Sequence, residues 1–397
     1  MSDRRQRRKE AKAAREEREA GRRRARVIAI AAGALVVIVI ASAVVVPGVV
    51  RRQQRLQRAL VYFPAGTEAQ PFNVLSNALR GYGEEPPSGL DATLRLLDSP
   101  DADAAADADV VVDQGRYGTE RTKLVAADPY VLIVDRRAGP APLEEPGGSL
   151  EDLTDWLSAD VGDAADMPRF VVAAEHPVDF AAFILYLAGE LLDAESRERI
   201  RAALLPAAPG ATGPADGGGP VEAEPELVEQ LVAELRPVIS FLEDWTSRGI
   251  LAFNWTNWDR IAVRAAHAEG RAAASFQARS EYAALGWEEA FHLRMHLPPI
   301  GPQRRLYRMV GRAVVAEPGP GPRADAAAGV RELLLAPEVQ EAGEAETSLI
   351  PVRIAGTPIN REHRDVVRWL TGADSYIVVD EATAAHPLFE RVHQLLR

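Results

Sequence analysis

The chain of 397 residues contains no cysteine. That excludes disulfides, thiolate zinc sites, cysteine nucleophiles and a lipid attached to a cysteine behind an export signal. With nothing to oxidise, an oxidising compartment poses no difficulty. Lysine is almost confined to the N-terminus: Lys9 and Lys12 are followed only by Lys123. We read this as coding bias rather than chemistry. Aromatics supply only 6% of residues, yet Trp245, Trp255, Trp258 and Trp287 are four of the six tryptophans. There is no Ser–His–Asp order, Gly-x-Ser-x-Gly elbow, phosphate loop or Gly-x-Gly-x-x-Gly motif. Catalysis has no positive support, and the chain is read as a non-enzyme with no cofactor and no metal.

What is present begins with an apolar run. Residues 27–50 carry no charge and lie between Arg22, Arg23, Arg24 and Arg26 on one side and Arg51 and Arg52 on the other. At ~1.5 Å per residue the run can cross a ~30 Å hydrocarbon core. Twelve Lys and Arg against five acids in residues 1–26 place this basic segment in the cytoplasm and the rest outside. The preferred reading is a single-pass anchor in the inner (cytoplasmic) membrane, followed by a stalk at 51–58. The rival is a cleaved signal peptide, since Ala41-Ser42-Ala43 resembles a cleavage site. The N-terminal excess of +7 within a total of −12 leaves −19 for the remainder. An acidic external part argues against a nucleic-acid partner.

Beyond the stalk, short continuous apolar runs read as strands covered on both faces: Ala59–Phe63, Val110–Val112, Tyr130–Val134 and Phe170–Val172. Helices are expected from Thr67 to about Leu79, from Leu150 to Leu157 behind a Ser149 cap, and from Asp179 to about Leu192. Another spans Glu226 to Leu242, bent at Pro237. Residues 206–220 form a Pro/Gly/Ala loop, and residues 81–109 give no clear strand or helix pattern. The Asp/Ala run ending at Asp109 lacks calcium-loop spacing. His292 and His296 alternate with Phe291, Leu293, Met295 and Leu297, which fits a strand better than a helical zinc pair. Alternating strands and helices define an α/β fold.

From residue 231 onward the order of short signatures resembles extracellular solute-binding proteins of family 1, the capture subunits of ABC importers. The signatures are Phe241 to Gly249, Ala268 to Ser275, Leu297-Pro-Pro-Ile-Gly301, Val310 to Val315, Pro337 to Gln340 and Leu349-Ile-Pro-Val352. Upstream, Asp128 to Val134 and Ser149 to Leu153 match a strand and a helix of the same family. No single motif is diagnostic; their order carries the resemblance. It implies a two-lobed periplasmic-binding-protein-like (type II) fold with crossing hinge strands, behind the membrane helix. One lobe would hold residues 59–134 and 297–337, the other 135–296 and 338–397. It also implies a small solute, such as a sugar, bound in the interlobe cleft of a monomeric ectodomain and offered to ABC permease subunits. A tethered sensor or scaffold that kept the fold without transport is the alternative.

Cleft loops follow the carboxyl ends of strands, which selects the candidate contacts. These are Phe63 and Glu68 after the first strand, Gln114 and Tyr117 after the second, and Glu175 and His176 before a helix. Trp255 and Trp258 flank Asn254 and Asn257, a composition suited to stacking on sugar C–H faces. Gln277 and Arg279 stand where many sugar binders of the family place tryptophan, so Arg279 is assigned to an anionic or hydroxylated ligand instead. For each there is a plain structural alternative: a capping turn, a buried ring or an exposed loop side chain.

Overall fold

The computed structural model describes residues 58–64, 70–80, 93–99, 106–114, 123–139, 148–159, 168–204, 224–299, 308–337, 339–340, 349–351, 364, 366 and 376–397. The chain divides into two units, 1–58 and 59–397, and all described residues but Arg58 belong to the second. The expected membrane helix, the stalk up to residue 57 and the 206–220 loop lie outside the described residues, while Arg58 opens the first strand. Among those described, no helix is long and apolar enough to cross a membrane.

The strands are β1 (Arg58–Pro64), β2 (Thr93–Ser99), β3 (Val110–Gln114), β4 (Lys123–Asp135), β5 (Phe170–Val172), β6 (Ala274–Ala278), β7 (Leu293–His296), β8 (Arg308–Pro318), β9 (Ile350–Pro351) and β10 (Tyr376–Val378). The main path runs β2-β1-β3-β8-β4-β6-β5, with β10 on β8 and with β7 and β9 on β4. Helices are α1 (Gln70–Arg80), α2 (Leu150–Ser158), α3 (Pro177–Leu191), α4 (Ala194–Leu204), α5 (Pro225–Glu234), α6 (Arg236–Ser247), α7 (Arg260–Ala268), α8 (Arg279–Ala283), α9 (Trp287–Ala290), α10 (Ala327–Leu334), α11 (Glu381–Ala384) and α12 (Pro387–Leu396). The result is a mixed α/β fold around a central sheet.

Strand β4 organises the sheet. Its first half, Lys123–Pro129, pairs antiparallel with β8, and its second half, Tyr130–Asp135, pairs with β6 and β7. The change of partner falls at a register irregularity between Asp128 and Pro129. A proline inside a strand is tolerated at such a bulge because the ladder is already interrupted there. Every residue from Val125 to Asp135 is buried. This explains the near-continuous apolar sequence.

Separate apolar clusters flank the change. One gathers Val61, Phe63, Leu75, Val110, Val112, Val314 and Leu334. Another gathers Leu132, Leu153, Phe170, Phe183, Leu242, Trp245, Phe276 and Leu388. Helix α3 is apolar all round, with Asp179 through Ala188 buried, as a helix enclosed by core must be. Trp245 is fully buried, and its indole N–H donates to Thr154 Oγ1 at 3.2 Å. This satisfies the one polar atom of the ring.

Local expectations fare unevenly. Ser149 caps α2 in a reciprocal box with Asp152. Pro237 does more than bend a helix: it sits in the first turn of α6, and the chain breaks at Leu235 into α5 and α6. Residues 81–109, read as patternless, contain β2. The tail of the Asp/Ala run is a structural clasp. Buried Asp109 accepts from Leu60 N at 2.9 Å and from Arg323 N at 2.6 Å. Leu293 and Met295 are buried on β7 while Arg294 and His296 are half-buried, the alternation of a strand.

Candidate functional site

Strands β5 and β6 are parallel, so their carboxyl ends lie at one side of the sheet. The change of partner in β4 lies there too, with Tyr130 opposite Ala278. Three connections meet at this edge. The turn after β5 enters α3 through His176, with Pro177 pre-set for the helical φ. The β6 strand runs directly into α8. The link from α6 to α7 carries a short 3-10 turn, Trp255–Asn257. The Glu175 amide donates to the Trp258 carbonyl at 3.0 Å, tying the first connection to the third.

A polar network occupies the junction. Asp179, in the first turn of α3, is buried; Oδ1 accepts from the Tyr130 hydroxyl at 2.9 Å and Oδ2 from Arg260 Nε at 2.7 Å. Arg260 also reaches Glu281 at 3.1 Å, and Arg264 meets the same carboxylate at 2.8 Å. Asp128 is buried and accepts from Ser280 N at 2.8 Å and Ser280 Oγ at 2.6 Å. Burial first, and the Asp179 carboxylate second, push the Tyr130 hydroxyl well above its usual range. Burial opposes the charge on Arg260, but the bonds and charge of Asp179 outweigh it and hold the guanidinium pKa above its ordinary value. His176 Nδ1 lies 3.6 Å from Asp179 Oδ2, too far for a hydrogen bond, and has no partner.

The structure sorts the candidate contacts. Glu175 (exposed), His176 and Trp258 (half-buried) come together at this junction. The Trp258 indole N–H donates to Asn254 Oδ1 at 3.4 Å. Phe63 and Trp255 are core residues, 1% and 3% exposed. Trp255 packs against Phe180 and Phe183. Neither ring presents a face to a solute in this conformation. Gln277 is buried on β6, lining a cavity of only about 10 Å³ with Arg264, His267 and Leu285. Arg279, half-buried, starts α8 beside Ser280. Gln114 ends β3, while Glu68 and Tyr117 lie outside the described residues.

The sequence does not single out Asp179, Arg260, Glu281 or Asp128, which the fold brings into one polar network. No short motif joins them; Asp179 and Arg260 are 81 positions apart. The available signal was an acid in the first turn of a helix that is apolar from Phe180 to Ala188 save for the Tyr186 hydroxyl. Nor does the sequence single out Phe253, 95% exposed in the Trp258 connection.

Among the described residues a buried Ser275–His267 contact, 2.7 Å from Oγ to Nε2, sets a hydroxyl against an imidazole. Ser275 is fully buried and His267 Nδ1 has no partner to orient the ring, so no substrate reaches the pair. Among the described residues no cluster of His, Asp and Glu could hold a metal ion.

No family model matches the chain, and no curated protein matches it. Solved structures do. The bacterial solute receptor AcbH, described as exclusively preferring β-D-galactopyranose, aligns at TM-score 0.54 and 10% identity, over 85% of this chain and 90% of that one. A probable secreted solute-binding lipoprotein from Streptomyces coelicolor aligns at TM-score 0.51 and 13% identity, over 86% and 94%. The fold is therefore that of bacterial solute-binding proteins. Both neighbours are binding proteins, not enzymes.

Proposed function

We propose that the chain is an extracytoplasmic solute-binding protein that captures a small sugar between two lobes, one on either side of the partner change in β4. The observation that supports this most is the junction itself. Trp258, His176, Asp179 and Arg260 gather where strand carboxyl ends meet the strand that passes from one set of partners to the other. An indole supplies a stacking face, while guanidinium and carboxylate groups suit hydroxyl recognition. Closure would be a hinge motion about β4. The apolar run 27–50 would tether the binder, and an ABC permease would receive its solute. A ligand screen by thermal shift on the full-length protein tests the reading, with β-D-galactopyranose, other monosaccharides and oligosaccharides, polyols and amino acids. A true ligand at 100 times its Kd stabilises by ~2.7 kcal/mol; silence across the panel would count against solute capture.

One observation favours the sensor or scaffold alternative. Arg260 is already committed to both Asp179 and Glu281, so the guanidinium of the junction is paired without a ligand. Under that reading the screen stays silent while the protein is folded and membrane-associated.

A further inference from the structure

We propose that the second half of the sheet carries a separate oxyanion site at the far end of β4 from the junction, fitted to a phosphate group. Pro129 and Asp135 are six steps apart along the strand, roughly 20 Å at ~3.3 Å per residue. At that end a cavity of about 140 Å³ is lined by Arg137, Arg169, Arg271, Trp156, Gly270 and Ala273 among others. This is well below the ~300–1,000 Å³ of a pocket for drug-sized ligands, so it takes a small group.

The charge balance of the lining sets the ligand's sign. Three guanidinium side chains face one carboxylate, Asp135, and that carboxylate is already saturated. Both its oxygens take Arg137 Nε at 3.0 Å, Oδ2 takes Arg137 Nη2 at 2.6 Å, and Oδ1 takes the Arg137 amide at 2.8 Å. Arg137 Nη2 also donates to the His267 carbonyl at 2.7 Å. Those bonds fix the guanidinium while leaving Nη1 unused. Arg169 commits only Nη1, to the carbonyls of Leu157 and Ala159 at the end of α2. Arg271 commits Nε to Glu269. Among the described residues the remaining guanidinium nitrogens have no acceptor.

The lining beside Arg137 is small by necessity. Gly270 adopts φ +68, and a Cβ there would meet the Arg137 guanidinium at 3.2 Å. Glycine both makes the turn and leaves that guanidinium its place. Fixed planar donors carried by several arginines match a multiply charged oxyanion better than a neutral sugar. The site shares no residue with the junction.

Calorimetric titration of the full-length protein with inorganic phosphate, at constant ionic strength maintained with chloride, tests the inference. The wild type should show saturable binding, weakened about tenfold in Arg271→Ala and further in Arg271→Glu. Arg271 is a partly exposed side chain outside both cores, and circular dichroism confirms that each variant is folded. Sugar binding at the junction should be unchanged in both variants, which separates this proposal from the one above. Absent or non-saturable phosphate binding overturns it, as does equal affinity in all three proteins.

Discussion

The Tyr130 hydroxyl donates to Asp179 Oδ1 at 2.9 Å, joining the strand that changes partners to the helix that opens the candidate site. Arg260 grips the other oxygen at 2.7 Å. A buried carboxylate is tolerable only when its lone pairs are occupied. Here a phenol and a guanidinium occupy them.

Removing the carboxylate should therefore cost more than removing the phenol. Asp179→Ala strands the Tyr130 hydroxyl and leaves Arg260 with Glu281 alone. A loss of roughly 2–4 kcal/mol is expected, discounted from the fully buried case because the Arg260 side chain is 36% exposed. Tyr130→Phe removes one bond and should cost about 1 kcal/mol. Urea denaturation of the two variants checks the order; equal losses would contradict it.

His267 predicts a pH dependence. Burial, above all, lowers its pKa to about 4, aided by Arg137 and opposed by Asp135. The folded value lies below the unfolded one near 6.5, so the unfolded chain binds the proton first. The neutral imidazole's contribution is thus fully present above pH ~6.5 and is lost as pH falls towards 4. Between pH 7 and pH 5 the wild type should lose roughly 2 kcal/mol more stability than His267→Gln. Denaturation curves at the two pH values measure it, and parallel losses would refute the assignment.

Gly319 tests the clasp around Asp109. Its φ is ordinary, but a Cβ there would run into the Ala108 carbonyl, which is backbone and cannot rotate away. Gly319→Ala should destabilise by roughly 1–3 kcal/mol through forced backbone displacement. An unchanged thermal midpoint would show that the turn after β8 has slack against Ala108.

Much of this architecture is legible in the sequence wherever a local rule decides. Phe170–Val172 reads as a buried strand, Ser149 and Asp152 as a cap, and His292 to Leu297 as period two, because each needs only neighbours in the chain. Legibility fails where tertiary context overrides the local rule. β4 extends back through Pro129 because a bulge accommodates the proline, whereas sequence alone starts it at Tyr130. β2 is interrupted by Arg95 and Asp98, so it lacks the continuous apolar run that marks β3 and β5. At the candidate site, Glu175, His176 and Trp258 can be picked out because they follow strands or lie in a loop, and the fold brings these three together. The Asp179–Arg260 pair beside them cannot be, since only folding brings those two side chains within 2.7 Å. For Trp255 the sequence leaves a ligand face and a buried ring both open, and Phe180 and Phe183 enclose the ring.

Trp258 should matter to binding and little to folding. Trp258→Ala removes a half-buried ring from the edge of a small cluster, while its backbone carbonyl still accepts from Glu175. Sugar affinity should fall at least about tenfold, or about 1.4 kcal/mol. The most direct measurement is calorimetric titration of the best sugar from the thermal-shift panel into wild type and Trp258→Ala in parallel. Saturable one-to-one heat in the wild type, with affinity at least tenfold weaker in the variant, is the predicted result. No heat from any sugar, or the same affinity in both proteins, would contradict a solute site at the β4 junction.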